Sequence, residues 1–260
     1  MLSPPRRAVH PMIGVLGRGR MGSALARNLA VQGKRVLIAG RTRDGTRPVG
    51  LASYPEIHCV PAPVVVARSD LLVLALPFDA AVDLARDGLL DDGRGRTVVD
   101  TTNPPSSVGG GRRSGRLLAE LLPQWRVVKA LNTVPAGMLG EPVLDGRPVT
   151  VPLAGDHPSA KIECAALLCG LGFVPVDVGG IDRAPALESL AELLMAIDSQ
   201  HALRGRLGFS LAVPELSAVA PSNVAWPDRP PVPVGERQRL APPAVDNIRS
   251  TPGRPPRPSR

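Results

Sequence analysis

The residues best placed to do chemistry are three glycines. Gly17, Gly19 and Gly22 follow the apolar run Met12 to Leu16 and open an Ala/Leu-rich segment, Ser23 to Gln32, in the spacing G-x-G-x-x-G. Their roles differ, since the first makes a tight turn, the second lets a pyrophosphate approach the backbone, and the third lets the helix pack on the strand. The free amides and positive dipole end of that helix would then face an anion. Arg18, Arg20 and Met21 fill the turn, and the two guanidiniums either add charge near the phosphates or point to solvent. The implied chemistry is dinucleotide binding, which needs no nucleophile. A strand before the turn, a helix after it and a second strand beyond favour that reading over a glycine turn that binds nothing.

That second strand, Arg35 to Ala39, ends at Gly40-Arg41-Thr42-Arg43. A site preferring NAD usually places Asp or Glu here, to accept from the ribose hydroxyls. The carboxylate is missing, and Arg41, supported by Thr42 and Arg43, offers guanidiniums to a 2′-phosphate. The reading is therefore NADP(H), with a solvated Arg-rich loop as the alternative.

Further strands are expected at Ile57 to Val60, Leu71 to Leu76, Thr97 to Asp100, Val127 to Leu131, around Val149 to Ala154, and at Phe173 to Val178. Helical segments fall between them at Val64 to Arg68, Ala80 to Arg86, Arg116 to Leu122 and Ser159 to Leu171. Asp44 to Pro55 leaves little room for a regular helix. This alternation predicts an α/β fold: a Rossmann-type, mostly parallel doubly wound sheet with a small C-terminal helical extension. Open sheets of this kind bind ligands at the carboxyl ends of their strands. Leu76, Pro77 and Phe78 are thus candidates to line the nicotinamide side, although Pro77 could simply end a strand. Polar groups gather similarly at Thr101-Thr102-Asn103-Pro104 and at Asn132-Thr133.

Hydrophobic content of 43% with only 2% aromatic residues implies a core of Val, Leu and Ala, which suits buried parallel strands. The net charge of +8 would point to nucleic acid if a folded face carried it. It sits mainly at the ends: seven Arg against three acidic residues from Pro221 to Arg260, and Arg6 with Arg7 near the start. No aromatic platform interleaves with the tail arginines, so no nucleic-acid partner is expected. Cys59, Cys164 and Cys169 show neither C-x-x-C spacing nor a His at ligand distance in sequence, so neither a disulfide framework nor a metal site is expected. No apolar run reaches the ~20 residues of a membrane span, and no signal-type core follows Arg7. A soluble, cytoplasmic protein is expected.

Leu187, Leu190, Leu193, Leu194 and Ile197 form the stripe of an amphipathic helix over Leu187 to Leu203, which could serve a homodimer. The expected organisation is a disordered arm at 1–11, an NADP-binding domain at 12–180, the helical extension at 181–213 and a disordered Pro/Arg-rich tail at 214–260. His10, His58, His157 and His201 read as structural, and no catalytic dyad is evident. Lys129, within an apolar run, reads as a structural or cofactor-edge charge rather than an acid/base group.

Residues 12 to about 213 resemble the NADP oxidoreductase, coenzyme F420-dependent family. The resemblance is carried by IGVLGRGRMGSALARNLA, IAGR, LLVLALPFDAA, VVDTTNP, VVKALNTVPAGML, VPLAGDHPSAK and LGFVPVDVGG. It implies hydride transfer between NADP(H) and a deazaflavin, coenzyme F420, as co-substrate. Gly17 to Gly22 would bind pyrophosphate, Gly40 and Arg41 would meet the 2′-phosphate, and Pro77, Phe78, Asn103 and Pro104 would line the nicotinamide. Ala130 to Thr133 and the helix around Glu188 to Leu194 would close the second pocket. Three features depart from the family pattern: the segment after Arg43, the Met195 region where an aromatic residue is usual, and the tail. A pyrroline-carboxylate or imine reductase shares the first domain but needs a longer helical second domain. A non-catalytic NADP-binding sensor is the reading outside enzymes.

Overall fold

Strand β1, Ile13–Leu16, is buried at every position and pairs in parallel with β2, Val36–Ala39, and with β4, Leu71–Leu74. The computed structural model describes residues 11–40, 49–105 and 114–212, all within one compact unit, Met1–Pro227. The expected arm at 1–11 and tail at 214–260 thus lie almost entirely outside the described residues. Sheet growth continues through β3, Ile57–Cys59, beside β2, and through β5, Thr97–Asp100, and β6, Arg126–Lys129, beyond β4. The order β3-β2-β1-β4-β5-β6, all parallel, is that of the Rossmann fold. Near-continuous apolar runs such as VLIA and LLVL specify it, since both faces of a parallel sheet are covered by helices.

Helices α1, Arg20–Val31, and α5, Pro158–Gly170, share one core, where Leu25, Leu29, Ile38, Val151 and Leu168 meet. Helices α2, Ala62–Arg68, α3, Phe78–Arg86, and α4, Ser114–Leu121, border the other, built on Leu37, Val65, Leu72, Leu118 and Trp125. Cys164 is wholly enclosed in the first core, where burial pushes its thiol up to about 12, so it fills space rather than reacts.

Several boundaries move from their expected places. The central strand β4 stops at Leu74 rather than Leu76, because the chain turns at Ala75 to pass the glycine loop, and Pro77 becomes the residue before α3. Strand β6 ends at Lys129 rather than Leu131, and Leu131 takes a left-handed φ of 61°. A short hairpin, β7 at Val143–Leu144 and β8 at Arg147–Pro148, turns on Asp145 and Gly146, both with positive φ. Its Asp-Gly pair is a turn signal in its own right. Strands β9, Thr150–Leu153, and β10, Val174–Asp177, pair in parallel with each other. They join the main sheet through an antiparallel bridge between Lys129 and Ala154, so the sheet is mostly parallel. Helix α6, Ala184–His201, follows a 3-10 turn at Ile181–Arg183 and packs on α4.

Candidate functional site

The turn between β1 and α1 is shaped by what cannot fit there. A Cβ on Gly17 would overlap the Ala75 carbonyl, and the residue has a φ of 118° that side chains avoid. A Cβ on Gly22 would overlap the Gly17 carbonyl, so the helix sits directly on the turn. Gly19 has no atom within 4 Å of its missing Cβ. It is the N-cap of α1, with no side-chain cap bond and no acidic residue in the first turn. The first amides of α1 are therefore unspent by caps, beside open space, as a pyrophosphate requires. Ser23 steadies the turn by donating its hydroxyl to the Arg18 carbonyl at 3.0 Å. The Arg18 side chain lies across Gly40 and leaves no room for a Cβ, which brings it to the carboxyl end of β2.

From this turn a cleft of about 610 Å³ runs along the strand ends. Gly19, Arg20 and Met21 form one end; Leu76 and Pro77, Thr101 to Asn103 and Asn132 to Ala136 line its length. Ala191, Leu194, Met195 and Asp198 of α6 close the other side, with Arg204, Gly205 and Leu207. Asp198 accepts from the Gly205 amide at 2.8 Å, and Ala202, Arg204 and Gly205 all have positive φ. These turns bring the chain leaving α6 back to the cleft.

Beneath the cleft lies a buried polar seam. Lys129, with no exposed surface, directs Nζ to Asp100 Oδ2 at 3.0 Å, the Thr102 carbonyl at 2.5 Å and Glu188 Oε1 at 3.1 Å. Asp100 Oδ1 also accepts from the Thr102 amide at 2.9 Å. The Asp100 carboxylate and the Thr102 carbonyl accept hydrogen bonds from the ammonium, and Glu188 Oε1 stands at ion-pair distance. Asn103 donates to the Asn132 carbonyl at 2.9 Å, while Asn132 Nδ2 donates to Asn103 Oδ1 and to the Leu187 carbonyl, each at 3.0 Å. The left-handed Leu131, itself buried, makes the turn that presents Asn132 to both partners.

Three buried oxygens of residues lining the cleft have no hydrogen-bond partner among the described residues: Thr102 Oγ1, Asn132 Oδ1 and Thr133 Oγ1. Buried polar atoms are usually paired, and orphans gathered at a cleft fit a site whose ligand supplies the missing groups. Together with the open face of Gly19, they show that the residues present fit a dinucleotide.

The cleft brings together Gly19, Arg20, Met21, Leu76, Pro77, Asn103, Asn132 and Thr133 from the sequence-based expectation. Gly17, Arg18 and Gly22 stand behind it as framework. Phe78, the first residue of α3, is buried in the core, and Pro104, half-buried, does not line the cleft. Arg41, Thr42 and Arg43 lie outside the described residues. Sequence reasoning misses Asp198 and the Arg204 to Leu207 wall, for which the only signal is Gly205 just after the helix. Among the described residues no group of three or more His, Cys, Asp or Glu is placed to hold a metal ion, and no helix is long and apolar enough to cross a membrane.

In fold and in sequence the chain resembles NADP-dependent oxidoreductases. Residues 12–104 match the model of the family described as NADP oxidoreductase, coenzyme F420-dependent, so the chain resembles that family from the glycine turn through β5. A structure from Arthrobacter sp. FB24, assigned as an F420-dependent NADP-reductase, is 29% identical with a TM-score of 0.66, over 78% of this chain and all of that one. The rat metalloreductase STEAP3 is 28% identical over 69% of this chain, which spans only 36% of that relative's length. An imine reductase from Myxococcus stipitatus in complex with NADP+ is 24% identical with a TM-score of 0.58, over 75% of this chain and 64% of that one, and shares the fold.

Proposed function

We propose that this chain is an NADPH-dependent reductase that exchanges a hydride with a deazaflavin, coenzyme F420, or a related planar acceptor. The observation that carries the reading is one cleft with two unlike ends. An open glycine face begins it at the α1 terminus, and an apolar helix wall of Ala191, Leu194 and Met195 closes it across the strand ends.

The nicotinamide supplies the hydride chemistry when bound. The chain's own work is positioning. Gly17, Gly19 and Gly22 with the first amides of α1 hold the pyrophosphate, and Arg20 and Met21 flank it. Arg41, Thr42 and Arg43 hold the 2′-phosphate, with Arg18 approaching from across Gly40. Leu76, Pro77 and Asn103 line the nicotinamide, with Phe78 and Pro104 in support, and Asn132 and Thr133 supply polar contacts beside it. Helix α6 excludes water from the acceptor side. No residue is assigned as an acid or base.

The same proposal places the protein in the cytoplasm, where Cys59, Cys164 and Cys169, all free thiols, would stay reduced. It also includes a homodimer formed through Leu193 and Ile197, exposed one turn apart on α6. Neither nucleic acid nor membrane is part of it.

The test is a spectrophotometric assay of the full chain with NADPH and coenzyme F420, in which deazaflavin absorbance should fall as NADPH is consumed. Tight NADPH binding without turnover would replace this reading with an NADP-binding sensor. Reduction of cyclic imines and not of the deazaflavin would replace it with an imine reductase.

A further inference from the structure

We infer that Lys129 and Glu188 are positioning residues: their buried ion pair ties α6 to the sheet and so sets the width of the acceptor side of the cleft. The inference rests on the functional reading above for its kinetic consequence, and on geometry for everything else.

The geometry is a chain of contacts from floor to wall. Lys129 holds the β5 end twice, through the Asp100 carboxylate and the Thr102 carbonyl, and Thr102 is itself part of the cleft. The same ammonium reaches Glu188 in α6 at 3.1 Å, and Glu188 is only 8% exposed. One to two turns further along α6 come Ala191, Leu194 and Met195, the wall of the cleft. A parallel link runs from Asn132 to the Leu187 carbonyl, one residue before Glu188. Two adjacent residues of α6 are thus fixed to the end of β6, and through Lys129 to the end of β5, so the helix is anchored at its N-terminal half. Its C-terminal half is held more lightly: Leu193, Met195 and Ile197 are exposed there.

An apolar core would hold a helix without a buried ion pair, and often as firmly. A side-chain tether does something packing does not: it fixes the helix's rotation and height over particular atoms of the floor, because an ion pair is sensitive to its geometry. The glycine turn receives none of these contacts, so loosening the tether should affect the acceptor and spare the dinucleotide.

The experiment compares Glu188→Ala, Glu188→Gln and the unaltered full chain by three measurements: NADPH affinity from fluorescence titration, amide hydrogen exchange over residues 184–201, and KM against kcat for coenzyme F420. Glu188→Ala should raise exchange in α6 by about tenfold and the acceptor KM by about fivefold, with NADPH affinity within about twofold. Glu188→Gln keeps the size and removes the charge, so it should raise exchange in α6 by about threefold, where a role based on size alone predicts no change. Unchanged exchange in Glu188→Ala would overturn the tether, as would an NADPH affinity that falls as far as the acceptor's. If Glu188→Ala does not fold, Glu188→Gln decides the matter: raised exchange in α6 alone supports the tether, and unchanged exchange refutes it. A chain that never turns over coenzyme F420 would refute the functional reading instead, and the exchange measurement would still decide whether α6 is tethered.

Discussion

The two ends of the cleft are built in opposite ways. At the α1 end the site is backbone: Gly17 against the Ala75 carbonyl, Gly22 against the Gly17 carbonyl, and bare amides beside Gly19. At the α6 end it is side chains brought from afar, Lys129 to Asp100 and Glu188, and Asn103 to Asn132. A site of backbone atoms is fixed once the fold forms and offers evolution little to adjust. A site of side chains can be retuned one residue at a time. Under the proposed function, the backbone end would hold the dinucleotide unchanged while the side-chain end could be adjusted to its acceptor.

The sharpest way to break the comparison is at the glycines. Gly17→Ala forces a methyl onto a backbone carbonyl at a φ of 118°, and should cost at least about 3 kcal/mol of stability, read as a lower denaturation midpoint. Gly19→Ala meets no protein atom and has an ordinary φ of −71°. It should leave the fold as stable, or more stable by about 0.5 kcal/mol, while weakening NADPH by at least about tenfold. A Gly19→Ala protein that binds NADPH normally would mean that the phosphates do not approach there.

The next effect separates cofactors. Arg41→Ala should weaken NADPH by about thirtyfold and leave NADH nearly unchanged, since a charge-assisted pair with the 2′-phosphate is worth about 2 kcal/mol. The Arg18 side chain on Gly40 makes a residual preference for NADPH the expected remainder. Equal losses for both cofactors would refute the 2′-phosphate assignment.

The same division explains which features the amino-acid sequence makes legible by itself. The α1 end is legible because its determinants are adjacent: three glycines within six residues, an apolar strand before and a helix after. The mostly parallel sheet is legible by the same logic, as runs such as LLVL suit strands buried on both faces, whereas the order of the strands is not written in those runs. The α6 end is only half legible. Lys129 stands out as a charge in an apolar run, but nothing local says that Asp100 and Glu188, far away in sequence, neutralise it. Phe78 reads as a cleft residue because it follows a strand end, yet α3 begins there and turns the ring into the core. The return of Arg204 to Leu207 depends on positive φ at Ala202 and Arg204, which their residue types do not announce.

The smallest predicted effect is also the most discriminating. Thr133 is 4% exposed and its hydroxyl has no hydrogen-bond partner among the described residues. A hydroxyl that serves only the fold should be paired, so one buried without a partner costs stability and gains nothing in the ligand-free protein. Thr133→Val keeps the shape and removes the unpaired group, and should raise stability by about 1 kcal/mol. If the hydroxyl awaits a bound group, the same substitution should weaken NADPH or acceptor by about three- to tenfold, because the ligand then buries its own polar group unpaired. Opposite signs in stability and affinity are what distinguish a group held ready for a ligand from a packing residue. Valine here that stabilises the protein and leaves both ligands untouched would remove Thr133 from the site, and a loss of stability would show that its hydroxyl already has a partner.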